Sequence, residues 1–251
     1  MPDRNMEALR QDHVPDRIRQ RLAQPPQPSY LADAVLGGID GCVTTLVIVA
    51  GAIGAQFPAA IAIVLGVANL LADGFSMAVS NYQSVKTRDD LLERTRRDEQ
   101  HHVRQVPEGE IEEVRQIFAL KGFSGNDLEN IVAVITADPK RWVDTMLVEE
   151  HGLSLTVIQP WKSALSTFTA FVVVGSVPLL PLLANGLESR AILPLSVSLS
   201  LLAFFAIGFL KGRLMRNRPW KQGLTTMLSG GAAAALAYGI GAWLRGVVGT
   251  I

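Results

Sequence analysis

The sequence predicts an all-α integral membrane protein with five transmembrane helices and a helical insert between helices 2 and 3. Five apolar runs are each long enough, at 1.5 Å per residue, to cross about 30 Å of hydrocarbon. Hydrophobic residues make up 49% of the chain, and its 18% of charged residues are clustered instead of spread. Most of that charge lies in residues 86–163, where no apolar run could span a bilayer.

The first two spans follow a polar arm. Residues 1–32 carry no standard cleavable signal and end in a Pro-rich hinge. The first span is predicted at 33–57, where Gly37 and Gly41 have the GxxxG spacing that permits close helix packing. A turn at 56–58 leads into the second span, which belongs to the transmembrane segment 33–85.

The insert, residues 86–163, reads as an all-α domain. The second span is expected to continue as a helix to about residue 105, where Pro107 breaks it. Three short helices should follow, at about 108–120, 124–137 and 138–151. Their predicted boundary signals are a capping box at Ser124, an N-cap at Asp138, and terminal glycines at Gly122 and Gly152.

The last segment, 164–251, contains the other three spans. The run 164–185 should be kinked or unwound near its end by Pro178 and Pro181. A short loop with Glu188 and Arg190 precedes the span at 192–210. The final span, 222–244, is rich in Gly and Ala, which favours tight packing.

The distribution of Lys and Arg sets the orientation. The N-terminal arm and the 211–221 loop are rich in basic residues, including Arg216, whereas the opposite side has few. The positive-inside rule therefore places the N-terminus, residues 86–163 and that loop in the cytoplasm. Short arms without an organelle-targeting pattern favour a bacterial inner membrane, and a vacuolar or other organelle membrane stays open.

One stripe in the second span carries unusual chemistry. Asn69, Asp73, Met77 and Asn81 recur every four residues, so they share one helix face. An ionised Asp at the bilayer centre costs on the order of 3 kcal/mol. Carboxylate and thioether together suit a divalent transition metal better than Ca²⁺ or Mg²⁺.

Asp40, in the first span, extends this pattern. We predict that Asp40 and Asp73 line a transport pathway, the alternative being a structural hydrogen bond to a neighbour such as Thr44. Asn69 and Asn81 are either pathway lining or interhelical contacts. Asp33 is predicted to be the N-cap of the first span, and Cys42 a small packed residue.

Several functions are excluded by composition. Lys and Arg number 23 and Asp and Glu also 23, and no basic stripe suggests nucleic acid as a partner. A single cysteine excludes a disulfide framework and a Cys-rich zinc site. No persuasive Ser/His/Asp set or phosphate-binding loop is present, so the protein is not predicted to be an enzyme and no organic cofactor is expected.

Five stretches occur in this order along the chain: DAVLGGIDG (33–41), DGFSMAVSNY (73–82), VPEGEIEEV (106–114), PKRWVDTMLVEEHGL (139–153) and ALSTFTAFVVVGSVPLLP (164–181). Together they resemble the vacuolar iron transporter family. The resemblance implies a homodimer with five spans per subunit and a cytosolic metal-binding insert between spans 2 and 3. It implies export of Fe²⁺, and often Mn²⁺, from the cytosol by proton antiport.

The resemblance also assigns residues. Asp40 and Met77 match pathway positions of the family, whereas Asn69 stands where the family has glutamate, and Asp73 is the candidate replacement. In the insert, His102 stands where a glutamate is usual, and Leu147 where a second methionine is usual. Histidine is a better ligand for Fe²⁺, Zn²⁺ or Ni²⁺ than for Mg²⁺ or Ca²⁺, and Zn²⁺ or Co²⁺ are further candidates for a bound ion. The implied metal ligands are Glu99, His102, Glu110, Glu113, Met146 and Glu150.

Residue spacing supports these assignments independently. Glu99 with His102, Glu110 with Glu113, and Met146 with Glu150 are pairs that each share one helix face. The alternative for an acidic run is a solvated helix face. The neighbouring residues His101, Glu112, Glu149 and His151 are predicted to be bystanders or to support the ligands from behind.

The sequence thus predicts a transporter that moves Fe²⁺, Mn²⁺ or both out of the cytosol across a lipid bilayer in exchange for protons. Two alternatives are a membrane-bound metal sensor, which would bind metal without transport, and a structural membrane subunit. Carboxylates within the spans speak against a sensor, because a sensor needs no charge there.

Overall fold

The computed structural model describes residues 3–24, 28–184, 189–215 and 217–248, and these residues form only helices and the segments that connect them. The helices are α1 (Asp3–Asp12), α2 (Pro15–Ala23), α3 (Leu31–Gly54), α4 (Ala59–Gln105), α5 (Pro107–Leu120), α6 (Gly125–Thr136), α7 (Pro139–Glu149), α8 (Pro160–Gly175), a 3₁₀ turn (Val177–Leu179), α9 (Leu180–Leu183), α10 (Ser189–Leu214) and α11 (Pro219–Val248).

Among these residues, five helical segments are long and apolar enough to cross a membrane: Leu31–Gly54, the apolar part of Ala59–Gln105, Pro160–Leu183, Ala191–Leu214 and Pro219–Gly246. This confirms the prediction of a multi-pass membrane protein. The chain divides into two compact units. We call residues 30–87 with 159–251 the membrane unit, and residues 1–29 with 88–158 the helical unit.

The membrane unit is built around α3, which packs against α8, α10 and α11. A Cβ at Gly37 or Gly41 would collide with a backbone carbonyl of α8, that of Thr167 or Phe171 respectively. The GxxxG spacing therefore permits close approach of these two helices, as predicted. Cys42 is fully buried in this core, which confirms its packing role.

Helix α4 presents a row of small or apolar residues to the membrane unit: Ala62, Gly66, Leu70, Gly74 and Ala78. Gly74 faces Phe168 and Phe171 of α8, and Gly66 faces Leu179. Asn69, Asp73, Met77 and Asn81 form a half-buried stripe beside that row. The four-residue spacing therefore places these side chains on one face, at the edge of the packed surface.

The third span ends as its prolines require. Helix α8 stops at Gly175, a 3₁₀ turn containing Pro178 follows, and Pro181 lies in the short α9. A proline lacks the N–H that a continuous α-helix needs, so the helix is interrupted here. The predicted Glu188 loop, Arg216 and the centre of the Pro-rich hinge lie outside the described residues.

The helical unit has its own apolar core, formed by Val114, Val132, Ile135, Trp142 and Met146. Asp138 caps α7 as predicted, because its carboxylate accepts hydrogen bonds from the backbone N–H groups of Lys140 and Arg141. Ser124 precedes α6 without a capping hydrogen bond from its side chain, so the predicted capping box is wrong. Gly122 has φ +96°, which confirms the predicted helix end.

Candidate metal centre and transport pathway

Two carboxylates are buried in the helical unit. Glu99, near the end of α4, is 3% exposed, and Glu110, in the first turn of α5, is 4% exposed. The break at Pro107 allows the chain to turn between them. In each side chain the Oε2 atom is buried and has no hydrogen-bond partner among the described residues. Buried polar atoms are usually paired, so these two unpaired oxygens mark a candidate site for a cation.

His102 joins these two glutamates. Its Nδ1 atom lies 3.9 Å from Oε1 of Glu99 and 3.6 Å from Oε1 of Glu110. One ligand atom from each of the three residues fits within a distance of 4.8 Å of the others. The structure therefore brings together three of the six predicted metal ligands.

Glu150 and His151 form a second group with the same Glu99. The Nε2 atom of His151 is 2.9 Å from Oε1 of Glu99 and 3.7 Å from Oε2 of Glu150. Glu99 is thus shared by two sets of candidate ligands, each with two carboxylates and one imidazole. Imidazole and carboxylate donors suit divalent transition metals.

The pKa values reflect the crowding of negative charge. Burial, and then the charges of Glu99 and Glu113, raise the pKa of Glu110 to about 7. Burial also raises the pKa of Glu150, with Glu113 adding to the effect. The hydrogen bond to Glu99 raises the pKa of His151. A divalent cation would relieve this repulsion, because it favours the ionised carboxylates.

The other two predicted ligands of this unit are placed differently. Glu113 is exposed but close enough to interact electrostatically with Glu110 and Glu150. Met146 is fully buried and packs against the apolar core. The described contacts give it a packing role, and its service as a metal ligand stays a prediction.

Of the residues predicted to be bystanders, two form ion pairs away from the ligand groups and one belongs to a ligand group. Glu112 pairs with Arg115, and Glu149 forms an ion pair with Lys121 at 2.5 Å. His151, by contrast, belongs to the second ligand group and was missed by the assignment from sequence. It follows Glu150, the C-cap residue of α7, so helical spacing no longer tells which way its side chain points.

In the membrane unit, Asp40 and Asp73 lie close enough for their charges to interact. Thr44 donates its hydroxyl hydrogen bond to the backbone carbonyl of Asp40, at 2.9 Å, and not to the carboxylate. Met77 packs against an apolar cluster, and the side-chain nitrogen of Asn69 is buried without a described partner. The two candidate pathway carboxylates therefore interact electrostatically, and their role in a pathway stays a prediction.

Asp33 has a different role from the one expected. Helix α3 begins at Leu31 after Tyr30, so Asp33 lies within the first turn and the predicted N-cap is wrong. Its Oδ1 accepts a hydrogen bond from Asn81 at 3.1 Å, and its Oδ2 accepts one from Ser163 at 2.6 Å. Asn81 also donates to Thr167 at 2.7 Å. This network joins α3, α4 and α8, which favours the interhelical role for Asn81.

Five helices long and apolar enough to cross a membrane, two of which carry a carboxylate, are typical of multi-pass membrane transporters, and comparison with known proteins agrees. The model of the VIT family matches residues 31–242, so the chain belongs to this family, whose members are transporters and not enzymes.

The curated relatives have consistent names. A vacuolar iron transporter of Toxoplasma gondii is 33% identical over 98% of this chain and 86% of its own length. Vacuolar iron transporter 1 of Oryza sativa is 31% identical, with 83% of this chain and 82% of the relative covered. The Arabidopsis thaliana protein of the same name is 30% identical, with 82% of each covered. These relatives, named for the vacuole, give no support to the expected bacterial inner membrane.

Proposed function

We propose that this protein carries divalent transition metal ions, Fe²⁺ and/or Mn²⁺, out of the cytosol across a membrane in exchange for protons. The observation that carries the proposal is a pair of electrostatically interacting carboxylates, Asp40 and Asp73, on two helices long and apolar enough to cross a membrane, in a member of the VIT family. Placing ionised carboxylates within membrane spans is costly, so such residues usually mark an ion or proton pathway.

The route proposed within the membrane begins at α4. Met77 would offer a thioether, Asp73 a carboxylate, and Asn69 an amide oxygen, all from the half-buried stripe. Asp40 of α3 would complete the route, and it lines a pocket that Lys211 also lines. Because Asp73 lies one turn from Asn69, it would supply the negative charge that the family carries at the latter position.

The helical unit would bind the ion before transport. Its support is the set of buried carboxylates, Glu99 and Glu110, whose Oε2 atoms have no described partner. Glu113 and Glu150 would add charge at the exposed side of the site, and His102 would add a nitrogen donor. These donors also fit Zn²⁺ or Co²⁺, so they favour transition metals in general over Ca²⁺ or Mg²⁺.

Proton antiport follows from competition for the same carboxylates. A metal ligand must lose its proton, so a carboxylate that alternately holds a metal ion and a proton couples their movements. Asp40 and Asp73 are the residues proposed to do this. If the coupling exists, a pH gradient alone should change uptake at a fixed metal gradient.

The proposal also includes the side of the membrane on which the charged segments lie and the assembly of the protein as a homodimer. If the five helices all cross, the N-terminal arm, residues 88–158 and the loop after α10 lie on one side, and their basic residues make that side the cytosol. A homodimer would bring the exposed apolar face of α4, with Leu71 and Phe75, against a second copy. The sensor alternative gains no support, since it needs no carboxylates in the spans.

The test is metal uptake into proteoliposomes with a fluorescent Fe²⁺/Mn²⁺ reporter. We expect D73A and M77A to lower the uptake rate by at least about tenfold, the usual scale for lost ligands or their supports. S80A, on an exposed position of the same helix, is the matched control. Uptake by D73A and M77A at the rate of wild type would contradict the proposed pathway.

A further inference from the structure

We propose that His151 is a metal ligand of the helical unit and biases it toward ions that bind imidazole strongly. This inference rests on the proposed function, because it assumes that the unit binds the transported ion. His151 lies outside the six ligand positions that the resemblance assigns, and it completes the group of Glu99 and Glu150.

The distances within this group match those between ligands of one ion. Metal–nitrogen and metal–oxygen bonds of about 2.0–2.2 Å put neighbouring ligand atoms about 3.0–3.4 Å apart. Nε2 of His151 is 2.9 Å from Oε1 of Glu99 and 3.7 Å from Oε2 of Glu150. One ligand atom of each of these three residues lies within 4.8 Å of the others, so movements of about 1 Å would bring all three atoms to one ion.

A second observation points to a ligand and not merely to a charged cluster. The side chain of Glu99 is 4% exposed, and its Oε1 atom contacts Nε2 of His151. Its Oε2 atom is buried and has no described hydrogen-bond partner. If His151 served only to neutralise Glu99, one oxygen of that carboxylate would still lack a partner. An unpaired buried oxygen of this kind costs free energy that a bound cation would recover.

The backbone around His151 is held in place. Its N–H donates to the carbonyl of Met146 at 3.2 Å, and the N–H of Leu153 donates to the carbonyl of Leu147 at 2.9 Å. Gly152 adopts φ +64°, which lets the chain turn directly after the histidine. The imidazole is therefore positioned at the end of α7 by a fixed turn, and its side chain is 34% exposed, open to an arriving ion.

Two imidazoles around one shared carboxylate have a consequence for ion choice. His102 belongs to the group of Glu110, and His151 to the group of Glu150, so each group that contains Glu99 has one nitrogen donor. Affinity for nitrogen donors rises from Mn²⁺ through Fe²⁺ and Co²⁺ toward Cu²⁺. Loss of His151 should therefore weaken the binding of Co²⁺ more than that of Mn²⁺.

The experiment uses the full chain with a histidine-free affinity tag. The sequence has four histidines, so H13Q/H101Q leaves only His102 and His151. His101 is exposed and belongs to neither ligand group, which makes this double variant the matched control. Co²⁺ titrations measure affinity, and pulsed electron paramagnetic resonance of bound Mn²⁺ detects nitrogen that is coordinated to the ion.

In this background we expect H151Q to remove one imidazole signal and to weaken Co²⁺ binding by at least about tenfold, with a smaller effect on Mn²⁺. An unchanged nitrogen signal and unchanged Co²⁺ affinity would overturn the inference while leaving transport intact. Loss of the signal in a protein that shows no uptake in proteoliposomes would overturn the proposed transport and leave the ligand assignment standing. Absence of any Co²⁺ binding by the control would overturn the inference.

Discussion

The carboxylate of Asp33 in the membrane unit differs from those of Glu99 and Glu110 in the helical unit in whether all its oxygens have hydrogen-bond partners. Asp33, in the membrane unit, has one oxygen bonded to Asn81 and the other to Ser163. Glu99 and Glu110, in the helical unit, each keep a buried oxygen without a described partner. A carboxylate satisfied by neutral donors stabilises helix packing, whereas unsatisfied carboxylates close together repel and are ready to bind a cation.

The comparison implies that Glu99 is indispensable for metal binding and that Asp33 is not. We expect E99Q to weaken Co²⁺ binding by at least about 100-fold, because Glu99 belongs to both ligand groups. D33N should leave Co²⁺ affinity unchanged. Isothermal titration of the purified full chain measures both. E112A is the control within the helical unit, since Glu112 pairs with Arg115 outside either group. A tight Co²⁺ site that survives E99Q would contradict the assignment.

The Asp33 network should instead determine stability. In N81A, the two N–H donors of the amide are lost, which are shared among Asp33, Ser163 and Thr167. At about 0.6 kcal/mol for each of the two donors in a membrane protein, the variant should lose about 1 kcal/mol. The measurement is the melting temperature of N81A in detergent, with S80A, at an exposed position, as the control. A melting temperature equal to that of wild type would show that the network does not stabilise the membrane unit.

The smallest effect expected is a change in the pH dependence of stability. The pKa of Glu110 is raised to about 7 from 4.5, so the folded protein holds this proton more tightly than the unfolded chain does. The resulting stabilisation is complete below pH 4.5 and is lost as the pH rises through about 7. Without metal, wild type should therefore be less stable at pH 8 than at pH 6. The raised pKa values of Glu150 and His151 act in the same direction.

E110Q tests this dependence, because glutamine cannot ionise. Its loss of stability between pH 6 and pH 8 should be smaller than that of wild type, when thermal unfolding is measured in the presence of a chelator. Metal added at pH 8 should stabilise wild type more than E110Q. Identical pH profiles for the two proteins would mean that Glu110 does not carry the unfavourable charge.

Much of the fold followed from local signals. The apolar runs predicted all five spans, and Pro178 and Pro181 predicted the interruption of the third, because a missing N–H acts where the proline stands. Asp138 was recognisable as an N-cap from the residues next to it. Ser124 was not recognisable in this way, because a polar side chain before a helix can face solvent instead of capping the helix. Its side chain makes no capping hydrogen bond.

The candidate sites were predictable to the extent that their residues share a helix face. Glu99 with His102, and Asp73 with Met77, follow from spacing alone. His151 could not be found in this way, because it follows Glu150, the C-cap of α7, and the residue one turn before it is the apolar Leu147. The hydrogen-bond partners of Asp33 could not be predicted either, because Asn81 and Ser163 are 48 and 130 residues away along the chain.

The sequence by itself thus determined that the chain is helical, that five of its helices are long and apolar enough to cross a membrane, and that most of the candidate ligands are carboxylates on shared helix faces. Helical periodicity and hydrophobic length are local properties, so they can be read from a window of residues. Only the tertiary structure decided which carboxylates are satisfied and which are left open. That depends on donors from other helices, and so Asp33 became part of the packing while Glu99 stayed available to an ion.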